Sequence, residues 1–320
     1  MSDTEMVGEG SAPPAFEVQP WLAQDARHRT SGPKRAAHWM IRAAGSAGHA
    51  RRLRTHVPRY EPDLVIGARG FSIDARRRWA TSDVSVRDAT VLVQGTGSGW
   101  DVLGWARLGP KRIVAVDLFA FDSWPAVADY CGAQYRVPVD FFASSLTDLS
   151  AIDDASVDIC VSDAVLEHCT DLDAVLRESH RVLVPDGRLY ASYGPLWFGP
   201  GGDHFSGRGG LEHIYAHVAL DPDSYGAYFD AHREAVEDFQ SGGRYVELDL
   251  FSKLTTGEYL AAMETAGFER EALVLEIGPE AVKFRDLYPD RFARLLHRYD
   301  GRCVADDFLV KGNVVRLRKR

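Results

Sequence analysis

Apolar residues along this chain fall into two regimes. Up to residue 89 they are scattered; from residue 90 short apolar runs alternate with stretches of helical period. The runs TVLVQ (90–94), RIVAVD (112–117), VDFFA (139–143), VDICVS (157–162) and GRLYASY (187–193) are unbroken or nearly so, the pattern of strands whose two faces are both covered by helices. Helix candidates lie between them at 100–108, 123–134 and 171–183. In the last of these Leu172, Val175, Leu176, Val182 and Leu183 recur at helical spacing, and Pro185-Asp186-Gly187 ends it in a turn. Further on, TTGEYLAAMETAGF reads as an amphipathic helix, EALVLEI as a strand, 280–298 as one helix and FLVKGNVVRLRK as a final strand. Strands that alternate with helices in this way predict an α/β fold, a doubly wound, seven-stranded, mostly parallel sheet.

Two segments stand outside that alternation. Residues 1–18, rich in Ser, Gly, Pro and Glu, read as a disordered tail. Residues 19–89 form a basic, partly helical extension: between 21 and 60, Arg27, Arg29, Lys34, Arg35, Arg42, Arg51, Arg52, Arg54 and Arg59 face a single acid, Asp25. Such a run is a solvated helical extension, a basic lid for an anionic substrate or an oligomer contact. Within the main domain, 90–320, residues 194–256 are rich in Gly, Pro, His and aromatics and read as a cap inserted after the fifth strand.

Composition narrows the class further. With 45% hydrophobic and 26% charged residues the 320-residue chain is globular, and no run approaches the roughly 20 apolar residues of a membrane span. The polar, acidic start is unlike a secretory signal, which predicts a soluble cytoplasmic protein without a membrane partner. A net charge of -9 argues against nucleic acid. Cys131, Cys160, Cys169 and Cys303 form no C-x-x-C pair, so neither a zinc knuckle nor a disulfide framework is expected.

The most informative stretch is Val91-Leu92-Val93-Gln94-Gly95-Thr96-Gly97-Ser98-Gly99-Trp100, a strand running through alternating glycines into a helix. Glycines permit a tight turn and close approach of a ligand, and the helix start offers unpaired N–H groups. One strand later RIVAVD ends in Asp117, a carboxylate placed to accept hydrogen bonds from both ribose hydroxyls of a nucleoside. The dinucleotide fingerprint G-x-G-x-x-G is not met, because the residue three beyond Gly97 is Trp100.

The G-x-G-x-G spacing resembles that of the class I S-adenosylmethionine-dependent methyltransferases, which are Rossmann-like. The resemblance covers roughly 90–193 and 254–277. It extends to Asp117 as ribose acid, Ser145-Leu146 beside the adenine, Val165-Leu166-Glu167-His168 after the fourth strand, the Leu183-Val184-Pro185-Asp186-Gly187 turn and the late Thr255 to Phe268 helix. It implies S-adenosylmethionine as cofactor, held by Gln94, Gly95, Thr96, Gly97, Gly99, Asp117, Leu118, Ser145, Leu146 and Asp163. Gln94 replaces the family's usual acid, and Ser145 an Asp common in many members; both keep hydrogen-bonding capacity. Glu167-His168 marks the start of a helix beside the cofactor in this family, so its role here is packing and capping, with no chemistry assigned to His168.

For the acceptor, the position after the fourth strand reads Ser162-Asp163-Ala164-Val165, not the [DN]-P-P-[YF] of amino-group methyltransferases. The resemblance therefore points to a hydroxyl of a small polar acceptor, a sugar or natural product, and a hydroxyl needs a group to take its proton. The cap supplies His204 beside Asp203 and His213 beside Glu212, the two candidate general bases. His213 and His217 lie four apart, as helical metal pairs do, but the spacing forces no third ligand and no metal ligand is assigned. The competing readings are a catalytically degenerate cofactor-binding module, a nicotinamide-dependent oxidoreductase and a polynucleotide methyltransferase that uses the basic arm. A homo-oligomer is compatible with all of them.

Overall fold

The computed structural model describes residues 54–67, 72–233 and 248–320. The 1–18 tail and the basic stretch up to residue 53 lie outside the described residues. Eight strands form one sheet: β1 (Leu64–Gly67), β2 (Thr90–Gln94), β3 (Arg112–Asp117), β4 (Val139–Ala143), β5 (Val157–Asp163), β6 (Leu183–Tyr193), β7 (Phe268–Ile277) and β8 (Val310–Lys319). Their order is β1-β7-β8-β6-β5-β2-β3-β4, with β8 antiparallel to both neighbours and every other pair parallel. From β2 the chain winds outward through β3 and β4, then returns to the other side of β2 as β5 and β6. Ligands bind such sheets at that reversal, outside the carboxyl ends of the strands.

The period of two along each strand divides the interior into two cores. Leu92, Cys160 and Leu189 join one face with α4 (Leu172–Val182) and α7 (Thr256–Thr265). Val91, Val93, Ile159 and Val161 join the other with α2 (Trp100–Ala106) and α3 (Trp124–Tyr135). The start of α4 is set by Asp171, whose side chain accepts from Ala174 N–H, and that of α7 by a reciprocal capping box between Thr255 and Glu258.

Three details depart from the expected arrangement. The sheet has an eighth strand, β1, within the extension of 19–89, so that segment is not only helical. Its four-residue LVIG run is too short to register as a strand until β7 supplies its ladder partner. The helix expected over 280–298 is two helices, α8 (Pro279–Leu287) and α9 (Pro289–Arg298). Pro289 drives Tyr288 out of the helical region, to φ -126° and ψ 56°. The sixth strand begins at Leu183, and Pro185-Asp186-Gly187 is an irregularity within it: the register on β5 jumps from Leu183 to Arg188.

The cap between β6 and α7 carries the short helices α5 (Ala216–Ala219) and α6 (Pro222–His232). Its organising group is Asp203, fully buried. The carboxylate accepts from the N–H groups of Phe205 and Ser206 and from the hydroxyls of Ser206 and Tyr225. Phe205, Ala216 and Tyr228 pack beside it as a small separate core. No helix among the described residues is long and apolar enough to cross a membrane.

Candidate active site

The glycine loop closes β2 at the reversal of strand order. Gly95 has φ +66°, and a Cβ there would sit 2.3 Å from Cγ2 of Val165, so the position excludes any larger residue on two grounds. Gly97, at φ +50°, is the opposite case: a Cβ there would meet nothing within 4 Å, because this side of the loop is open. Its N–H donates to Asp117 Oδ2 at 2.7 Å, and Phe119 N–H donates to Oδ1 at 3.2 Å. A carboxylate has about four acceptor positions, so Asp117 is fixed in place and retains capacity for two hydroxyl donors. Leu118 and Phe119 beside it are 62% and 63% exposed, an apolar surface next to the carboxylate.

The other residues expected to hold the cofactor gather around this point with different commitments. Ser144 N–H donates to Asp117 carbonyl, which brings the loop carrying Ser145 and Leu146 to the end of β3. Ser145 Oγ lies 2.8 Å from Thr147 Oγ1, and Leu146 leans on the core. Thr96 is buried with an Oγ1 that has no hydrogen-bond partner among the described residues. Gln94 turns away from the loop: its Nε2 donates to Ser179 Oγ on α4 at 2.7 Å, and its Oε1 has no partner among the described residues. Gly99 begins α2.

The Asp163 carboxylate is engaged elsewhere. Tyr190 hydroxyl donates to its Oδ1 at 2.8 Å, while Arg77 Nε and Nη2 donate to its Oδ2 at 3.0 and 2.9 Å. Arg77, on α1 (Ile73–Ala80), is buried and also donates to Asp101 on α2. Space for it comes from Gly104, where a Cβ would fall 1.6 Å from Nη1. Burial pushes the Asp101 carboxyl up to about 6 against the opposing pull of Arg77. The neighbouring Arg76 donates to Ser192 Oγ and Glu276 Oε2, each at 2.6 Å. So α1 is clasped over the carboxyl ends of β5, β6 and β7. The sequence showed Arg77 only as one of three consecutive arginines, with nothing to mark it as buried.

In the cap the two histidines expected as bases separate. His204, at φ +62° in the turn after Gly201, places its ring 4.9 Å from that of His168, edge to face. Phe251 packs on both, 4.8 Å from His168 and 5.2 Å from His204. His213 instead stacks on Tyr228 at 5.1 Å, with Glu212 3.9 Å and the His232 ring 5.9 Å away. His217 is structural: fully buried, it has Nε2 2.6 Å from Trp197 carbonyl and Nδ1 2.9 Å from Ser206 Oγ. The helical metal pairing of His213 with His217 does not form, since only His217 lies in α5.

What joins His204 is the pair Glu167-His168 from the turn Leu166–His168, and one ligating atom from each of the three lies within 4.8 Å of the others. Glu167 is 2% exposed; its Oε1 accepts from Gly194 N–H at 2.9 Å, and its Oε2 has no hydrogen-bond partner among the described residues. Burial pushes its carboxyl up to about 8. His168 Nδ1 lies 3.3 Å from Leu250 carbonyl, to which it donates, and burial lowers its pKa. His204 is pushed down to about 4 by desolvation against its ring neighbours and by His168. Nothing in the sequence signalled this convergence, because His204 arrives from the cap, 36 residues later in sequence.

Residues 92–191 match the family profile described as a methyltransferase domain. Over these residues the chain carries a methyltransferase domain. The methyltransferase domain is 37% identical over 102 residues to a malonyl-[acyl-carrier protein] O-methyltransferase of Yersinia pestis, covering 32% of this chain and 35% of that protein. It is 32% identical over 117 residues to a ubiquinone biosynthesis O-methyltransferase of Xanthomonas oryzae pv. oryzae, covering 37% and 48%. The chain thus spans about a third to a half of the length of these curated relatives. A solved S-adenosylmethionine-dependent methyltransferase structure from Mesorhizobium loti aligns with 17% identity and a TM-score of 0.46, over 78% of this chain and 98% of that one. The profile ends at Ala191, so the cap and His204 lie outside the methyltransferase match.

Proposed function

We propose that the protein is an S-adenosylmethionine-dependent methyltransferase acting on a hydroxyl of a small polar acceptor, a sugar or natural product. The observation that carries this reading is Asp117, held by Gly97 N–H at the mouth of an open glycine loop where the strand order reverses. S-adenosylmethionine, when bound, supplies the electrophilic methyl group. Asp117 would accept from its ribose hydroxyls, Leu118 would cover the base, and Ser145 and Leu146 would flank it. The unpartnered Thr96 Oγ1 lies beside the same loop and fits a polar ligand. Asp163 serves by positioning: tied to Arg77 and Tyr190, it holds the end of β5 against α1.

An activated methyl requires of the protein chiefly alignment and exclusion of water. The cap and Phe251 close over the carboxyl end of β5, and the Glu167, His168 and His204 cluster gathered there is where the acceptor's proton would be handled. His204 is the member of that cluster supplied by the cap, and on this reading it serves the step that removes the proton. The curated relatives named above are both O-methyltransferases, in keeping with an oxygen acceptor.

The test is thermal unfolding with S-adenosylmethionine, S-adenosylhomocysteine and NAD, followed by transfer of labelled methyl to a panel of hydroxyl compounds. Ligand at 100 times Kd should stabilise the fold by about 2.7 kcal/mol. Stabilisation by the first two alone, reduced in Asp117→Ala, is expected. Stabilisation by NAD, or by none of the three, overturns the proposal.

A further inference from the structure

We infer that Glu167, His168 and His204 form a binding site for a divalent transition-metal ion, and that the proposed acceptor hydroxyl binds at that ion. The inference deepens the proposed function and rests on it for the identity of the hydroxyl.

Four observations converge. The three side chains offer one carboxylate oxygen and two imidazole nitrogens, all within 4.8 Å of one another, which is the spacing of ligands around a shared ion. Glu167 Oε2 is buried with no hydrogen-bond partner among the described residues, and a buried oxygen left unpaired is costly unless something meets it. Its other oxygen is fixed by Gly194 N–H, so the free one is held in position. His168 donates Nδ1–H to Leu250 carbonyl, which sets the tautomer and leaves Nε2 as the free donor atom. This backbone support is the usual arrangement behind a metal-bound imidazole.

The ligand set indicates the class of metal. Imidazole nitrogens favour zinc, cobalt, iron or copper, whereas magnesium and calcium prefer all-oxygen shells. Three protein ligands leave at least one position open, as in catalytic sites. A hydroxyl coordinated there is acidified and gives up its proton to water. Its oxygen then takes the methyl group as the sulfur–methyl bond breaks, yielding the methyl ether and the neutral thioether. In this arrangement His204 acts as a ligand, and the metal lowers the hydroxyl's own pKa in place of a strong base.

The arrangement also accounts for where His204 sits. A loop residue at φ +62° whose ring stands edge to face on His168 is held by the buried Asp203 beside it, which anchors the following turn through Phe205 and Ser206 N–H. The cap therefore completes a site that β5 alone would leave with two ligands.

The experiment titrates the tag-free full chain, first stripped with chelator, with Co²⁺ and Zn²⁺ by calorimetry and visible absorption, without S-adenosylmethionine or acceptor. One equivalent of Co²⁺ should bind with d–d bands of a four- or five-coordinate site and be displaced by Zn²⁺. Loss of an outer partner alone weakens metal sites by about 10- to 100-fold. Removing a ligand in His204→Ala or Glu167→Gln should therefore weaken binding by ~100-fold or more, with His213→Ala unchanged. No stoichiometric binding, or binding equally strong in folded His204→Ala, overturns the inference. His204→Ala lies on an exposed turn and keeps the test informative should Glu167→Gln fail to fold. Cofactor binding by the metal-free protein is read separately by thermal shift, so failure of the metal site and failure of the methyltransferase reading give different results.

Discussion

The proposed cofactor half and the proposed acceptor half of this molecule are built in opposite ways. The cofactor half is nearly contiguous: Gly95, Gly97 and Asp117 lie within 23 residues, on adjacent parallel strands whose register brings the loop to the carboxylate. The acceptor half is assembled from three separate stretches, the turn after β5, the loop around His204 and the segment at Leu250-Phe251. A nucleoside is the same ligand across a large family, so one local solution suffices. An acceptor-specific site is made by whatever insertion closes over the sheet, and its parts meet only after folding.

Substitutions can break this comparison or sharpen it. The largest effect is expected from Arg77→Met, which leaves Asp163 buried and Asp101 half-buried without their cation; such losses cost about 3–5 kcal/mol. Denaturant unfolding measures it, and a change under about 1 kcal/mol would show that α1 is not the clasp joining the halves. Next, His204→Ala should lower turnover by about 100-fold or more while leaving S-adenosylmethionine affinity within a factor of about two, whereas His213→Ala should leave both near wild type. Equal losses in the two variants would mean that the cap acts as one unit and the partition is wrong.

Asp117→Ala should show the reverse split. Removal of a charged hydrogen-bond acceptor costs about 1.5–3 kcal/mol, or roughly 10- to 100-fold in cofactor Kd, with metal binding at the histidine cluster preserved. Loss of both would join what the geometry separates.

The smallest effect is a pH dependence. Burial holds the His217 pKa below its ordinary value near 6.5. The unfolded chain therefore takes up a proton as pH falls below about 6.5 while the folded form does not, and stability decreases with falling pH. The contribution is present in full above 6.5 and disappears toward acid at no more than about 1.4 kcal/mol per pH unit. In His217→Gln this part of the slope should vanish; an unchanged slope would assign it to other groups.

The apolar runs at 90–94, 112–117, 139–143 and 157–162 were legible as parallel strands, and all four are observed, three of them buried and the edge strand β4 only half-buried. Glycine spacing and Asp117 were legible because a strand, a tight turn and the next strand tip are fixed by local chain geometry. The short β1 was not, since four apolar residues become a strand only when β7 offers its edge. Nor was the break at Tyr288, where amphipathic period continued across Pro289 and only the missing donor and ring clash decide the kink.

What the amino-acid sequence determined by itself is therefore the sheet, its reversal point and the carboxylate at the cofactor loop, all consequences of period and short-range turns. Tertiary structure alone decided that Arg77 would be buried between Asp163 and Asp101, that Asp203 and His217 would hold the cap, and that His204 would reach Glu167 and His168 while His213 would not. Those pairings depend on how the cap folds back over β5, and a side chain's partner across tens of residues leaves no period in the chain to be read.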